Sequence, residues 1–245
     1  MTRQYRQLTF GRAVRAAFML VIAWTVTPFL SFTLTAQNVS QARDFRWSGT
    51  LEKGKTFEVR GVYGSIRAVP STNSSIQVEA RIYDPALVHL DVVPTENGIT
   101  ICSVASAPSG YESECQPERR LTGAQGVEGQ VDFVVHVPVG IRFSASMIHG
   151  DITVNALRSN VNVATINGNI ELNVSRGQGA EFYGNTVSGS IDSDIPIYDN
   201  ASPPPGDRPV EAHGPRIVRA RIGPGGPALD ASSVSGTIRL RTLAE

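Results

Sequence analysis

Four carboxylates, Asp151, Glu171, Asp192 and Asp194, stand beside short words that this chain repeats. Paired carboxylates cleave glycosidic bonds when a cleft holds them at a defined separation, one as acid and the other as base or nucleophile. The position of Asp151 is filled in the other words by Asn169, Ser190 and Thr237, all polar types suited to a solvated turn. Solvated corners are the simpler account, with a polysaccharide-acting β-helix enzyme as the alternative. His89, His136, His149 and His213 show no metal-like spacing. The Ser-Gly words lack a G-x-S-x-G elbow, and Gly223, Gly225 and Gly226 lie in a Pro-rich turn and not at a strand-to-helix junction. The sequence therefore predicts no catalytic residue, no cofactor and no metal site. Cys102 and Cys115 read as a disulfide, the default for an exported chain, because one pair without a nearby His offers a metal too few ligands.

The elements that would carry these residues are strands. Runs such as "SIQVEARIY" and "VDFVVHVP" alternate apolar and polar side chains, and Pro70, Pro85, Pro94 and Pro138 fall near run ends. The repeated words are "VYGSIRAV", "MIHGDITV", "TINGNIEL", "TVSGSIDS" and "SVSGTIRL", which share an apolar residue, any residue, Gly, a polar residue and Ile. Their glycines are Gly64, Gly150, Gly168, Gly189 and Gly236, and their isoleucines Ile66, Ile152, Ile170, Ile191 and Ile238. A glycine between short strands permits a tight corner, and the isoleucine two positions later then points inward. Stacked corners imply an all-β, single-stranded β-solenoid of the β-helix or β-roll kind, whose coils bury their apolar faces only by stacking. The alternative is an antiparallel β-sandwich in which Asn167-Gly168 is a hairpin tip. From Gly189 to Gly236 the spacing is about two coils, or one coil with an insertion.

Residues 1–36 read as a signal peptide or an N-terminal membrane anchor. Arg3, Arg6, Arg12 and Arg15 precede an uncharged run from Ala16 to Ala36. Either form exports the body, so the expected location is the periplasm, cell envelope or extracellular space, with membrane contact only through an uncleaved segment. Basic and acidic residues total 22 each, and the first 36 residues hold those four arginines and no acid, so the body is mildly acidic. That balance argues against nucleic acid as a partner. Residues 37–56 read as a short linker and lead-in, and 57–245 as one β-strand-repeat domain with a Pro-rich insertion at 196–227, inside which "RIVRARI" can still form a strand.

Through the five words and "VDFVVHVPVG", from about Phe57 to Leu240, the sequence resembles the bacterial putative-adhesin family of exported proteins, also described as β-strand-repeat proteins of unknown function. The resemblance implies a β-solenoid or β-roll at the cell envelope, with no known catalytic residues to carry over. The Pro-rich insertion and the Cys pair depart from the family pattern. The expected function is a non-enzymatic adhesin-like surface for an envelope protein, a glycan or the cell wall. The alternatives are a structural or stress-associated envelope component without a specific ligand, and the polysaccharide-acting enzyme.

Overall fold

The computed structural model describes residues 42–106, 115, 129–195, 198–199 and 216–243. The chain divides into Met1–Asn38 and Val39–Glu245. The first part, with the expected export signal, lies outside the described residues, as do His213 and most of the Pro-rich insertion.

The described residues form strands and no helix. The strands are β1 (Arg43–Gly49), β2 (Thr56–Pro70), β3 (Ile76–Ile82), β4 (Val88–Thr95), β5 (Gly98–Ala105), β6 (Gln130–Val137), β7 (Arg142–Asn155), β8 (Val161–Asn167), β9 (Ile170–Val174), β10 (Ala180–Ser188), β11 (Ile191–Ser193), β12 (Tyr198–Asp199), β13 (Arg216–Ile222), β14 (Ala228–Ser235) and β15 (Ile238–Thr242). They make one mixed sheet that does not close.

Each repeated word marks a strand, a glycine corner and a second strand, and five such repeats lie side by side in parallel. In β2 and β7 both strands belong to one long element, whereas β8 with β9, β14 with β15, and β10 with β11 are split at the glycine. The strands before the corner run β5, β2, β7, β8, β14, β10. Those after it run β6, β2, β7, β9, β15, β11. Both rows supply one hydrophobic core.

Alternation decides which side chains enter that core. Before the corner, Phe57, Phe143, Val161, Leu229 and Phe182 are in register; after it, Ile66, Ile152, Ile170, Ile238 and Ile191 are. Every residue of the isoleucine column is at most 1% exposed. Removal of each from water stabilises by about 1.5–3 kcal/mol, and only parallel pairing in one phase brings them together.

Antiparallel strands cover the ends of the rows. β4 pairs with β5, β3 with β6, β1 with β3, β13 with β10, and β12 with β13. The lead-in 37–56 thus contains a true strand, β1, whose Trp47 stacks on Phe57 with ring centroids 5.6 Å apart. "RIVRARI" is β13.

One alternative raised by the sequence is overturned. Asn167-Gly168 is not a hairpin tip, because β8 and β9 each pair with strands of other repeats and not with one another. Nor do the repeats stack in chain order. The last, 228–242, lies between 161–174 and 180–193. The long interval from Gly189 to Gly236 therefore holds β13, paired along the edge of β10, before the chain enters between two earlier repeats.

Candidate functional site

The corners form a column whose spacing is set by backbone. A Cβ on Gly64 would collide with the Val131 carbonyl, and one on Gly150 with that of Gly64. The same relation links Gly168 to Gly150, Gly236 to Gly168 and Gly189 to Gly236. Close approach of neighbouring strands, more than backbone conformation, is what requires glycine here, since Gly189 meets the same obstruction without a positive φ. Gly64, at φ +125°, needs glycine on both counts.

Beside the glycines runs a ladder of polar side chains. Ser65 Oγ donates to Asp132 Oδ1 at 2.8 Å. Asp151 Oδ1 accepts from the Asn169 backbone N–H at 2.7 Å, and Asn169 Oδ1 in turn accepts from the Thr237 N–H at 3.1 Å. Ser190 Oγ donates to Thr237 Oγ1 at 3.2 Å. The last three bonds join adjacent repeats and fix their corners against one another, while the first ties the Ser65 corner to β6.

The four singled-out acids all lie on the outward face of the row after the corner. Asp151 belongs to the ladder, Glu171 accepts from Asn173 Nδ2 at 2.7 Å, and Asp194 accepts from the Thr242 N–H at 3.0 Å. Asp192 ends an outward column that reads Arg67, Thr153, Glu171, Arg239, Asp192. Three strand spacings separate the repeats of Asp151 and Asp192, about 14 Å. Glu171 and Asp192 are two spacings apart with Arg239 between them. A depression of about 270 Å³ at the far ends of these strands, lined by Pro70, Val137, Leu157 and Arg158 among others, contains none of the four acids.

The sequence reading missed the residues two positions before each glycine. Val62, Ile148, Ile166, Val234 and Val187 form a further column along the corner, and exposure climbs from 7% at Ile148 to 40% at Ile166, 46% at Val234 and 54% at Val187. The signal was parity: Val161, Val163 and Thr165 face inward, so Ile166 faces out. Polar neighbours flank this ridge. His149 stacks on Tyr63 at 4.8 Å and meets Asn167 Nδ2 at 3.3 Å, followed along the stack by Ser235 and Ser188.

Under the corners a column of hydroxyls is buried. Thr165 Oγ1 donates to the Gly150 carbonyl at 3.1 Å and Ser233 Oγ to that of Gly168 at 3.4 Å, whereas Thr186 Oγ1 is buried without a partner. Toward β5, burial pushes the Glu58 carboxyl above its ordinary range, against the opposing pull of the Thr100 hydroxyl at 2.9 Å and of Arg60. Burial likewise raises Asp230. Close by, Cys102 and Cys115 form a disulfide, with Cα atoms 5.6 Å apart.

No family model matches the sequence, and no curated protein does. Among solved structures, a "putative cell adhesion protein" of Clostridium sporogenes is similar over 82% of this chain and 100% of its own, at 9% identity and a TM-score of 0.42. A "putative adhesin" of Bacteroides fragilis is similar over 82% and 97%, at 10% identity and a TM-score of 0.28. Another from Parabacteroides merdae covers the same shares at 9% identity, with a TM-score of 0.19.

Proposed function

We propose that this is a non-enzymatic exported protein of the cell envelope, a β-solenoid with one repeat out of chain order, whose corner ridge is an adhesin-like surface for an envelope protein, a glycan or the cell wall. The observation that carries the reading is the apolar column Ile166, Val234 and Val187, exposed on successive repeats. Three β-branched side chains about 4.8 Å apart form a continuous strip that does nothing for the core, and exposed apolar strips with polar rims are where soluble proteins meet partners. The interlocked polar ladder beside the strip holds its donors and acceptors in place before any partner arrives, which lowers the entropy cost of binding. The disulfide and the resemblance of the repeated words to exported envelope proteins support the location.

The test is co-sedimentation of oxidised residues 43–245 with isolated cell walls, membranes and intact cells. Saturable binding to one fraction is expected, lost on combining Ile166→Ser, Val234→Ser and Val187→Ser while the melting midpoint holds. Binding that survives the triple substitution would remove the ridge from the account, and no binding to any fraction would leave a structural role as the better reading.

A further inference from the structure

The last repeat is an insert with a partner on each side. β14 lies between β8 and β10, and β15 between β9 and β11. Without it the stack would have a slot one repeat wide, walled by unpaired backbone. The two walls, 161–174 and 180–193, are consecutive in the chain and joined by residues 175–179. The connection 156–160, of equal length, joins repeats that are direct neighbours. A link long enough for one strand spacing therefore spans two, and it passes close against the turn that leads into the insert: a Cβ on Gly179 would collide with the Gly225 carbonyl, and one on Gly226 would lie 2.7 Å from the Gly179 oxygen.

The walls also suit each other. Counted from their corners, Thr165 corresponds to Thr186, Ile166 to Val187, Asn167 to Ser188 and Ile170 to Ile191. Thr186 Oγ1, partnerless beside the insert, stands at the position from which Thr165 Oγ1 bonds the corner carbonyl of its neighbour. The insert enters as one clasp, with β13 on one edge of β10 and β14 on the other. Residues 200–215, outside the described residues, join β12 to that clasp and would reach roughly 55 Å if extended.

We propose that residues 216–242 are an exchangeable element, and that the slot of one copy accepts the last repeat of a second copy to give a strand-exchanged dimer. Every contact the insert makes within its own chain is then remade between chains, which is why exchange of an identical element is a low-cost route to a dimer. The slot selects its occupant by the strand, glycine, strand spelling, since any other residue at Gly236 meets the Gly168 carbonyl. The proposal does not depend on what the ridge binds.

Two singly substituted full-length chains test it, one with Glu171→Cys and one with Arg239→Cys. These positions are register partners across the slot and lie on the outward face. The chains are mixed, warmed to just below the melting midpoint, cooled and oxidised. A mixed disulfide dimer is expected in about tenfold or greater excess over that from Glu171→Cys mixed with Arg67→Cys, because exchange converts a chance collision into a held contact. Mass mapping should place the bond between positions 171 and 239. Equal yields from the two mixtures, or bonds to Cys102 or Cys115 in its place, would overturn the proposal.

Discussion

Two kinds of corner occur in one stack. At Gly64, Gly150, Gly168, Gly236 and Gly189 the chain turns in a single residue, with a backbone carbonyl of the adjacent strand or corner where a Cβ would be. Between β5 and β6, at one end of the parallel rows, no glycine word occurs, the longer stretch Ser106 to Gly129 joins the two strands, and Cys102 is bonded to Cys115. A corner with neighbours on both sides must fit a gap set by strand spacing, while the connection at the end of the rows escapes that limit and carries a covalent bond. Stability should therefore be most sensitive to added side chains in the middle of the column and to loss of the disulfide at its end.

The largest expected effect is at Gly168, which has corners on both sides. Gly168→Val should destabilise by about 3 kcal/mol or more, because the obstructing atoms are backbone and cannot rotate away. Gly189→Val, in the terminal repeat, should cost less, and Gly177→Ala, at φ +77° but facing open space, only about 1 kcal/mol. Urea unfolding of the three variants checks the order; equal losses would mean that strain at each turn, and not the carbonyl column, dictates glycine.

Removal of the bridge with Cys102→Ser and Cys115→Ser should cost about 3 kcal/mol, measured the same way on oxidised protein. Buried hydroxyls offer a finer comparison. Thr165→Val breaks a bond to the Gly150 carbonyl and should cost about 1 kcal/mol, whereas Thr186→Val removes a partnerless hydroxyl and should be neutral or stabilising.

The smallest effect is that of pH on Glu58. A folded-state pKa above the ordinary value of 4.5 means that the native state holds the proton more tightly than the unfolded state does. The stability of the native chain relative to Glu58→Gln should thus be level at low pH and fall as pH rises from 4.5 through the raised pKa. Carbon-detected NMR titration of the Glu58 carboxyl locates that window, and titration at or below the ordinary value would refute the burial argument.

Much of this was legible in the words themselves. Alternation gave the strands, and the shared phase of Gly and Ile gave the corner and core columns, because both depend on local spacing. The order of the repeats was not legible, for a physical reason: Ile170 would pack as well on Ile191 as on Ile238, and Thr165, Ser233 and Thr186 are near equivalents. Side chains that fit any neighbour cannot say which neighbour they have. The ridge was available from parity at Ile166 and Val187, but an apolar residue beside a corner glycine reads first as core.

Repeat order is the center of the account, and proximity across the slot tests it most directly. Chains carrying Glu171→Cys with Arg239→Cys, or Glu171→Cys with Asp192→Cys, would be oxidised at high dilution and the intramolecular disulfide scored by mass mapping. The first pair, register partners about 5 Å apart, should close readily, and the second, two spacings apart at about 10 Å, should not. Ready closure of Glu171→Cys with Asp192→Cys in place of Arg239→Cys would show the repeats stacked in chain order and contradict the insertion.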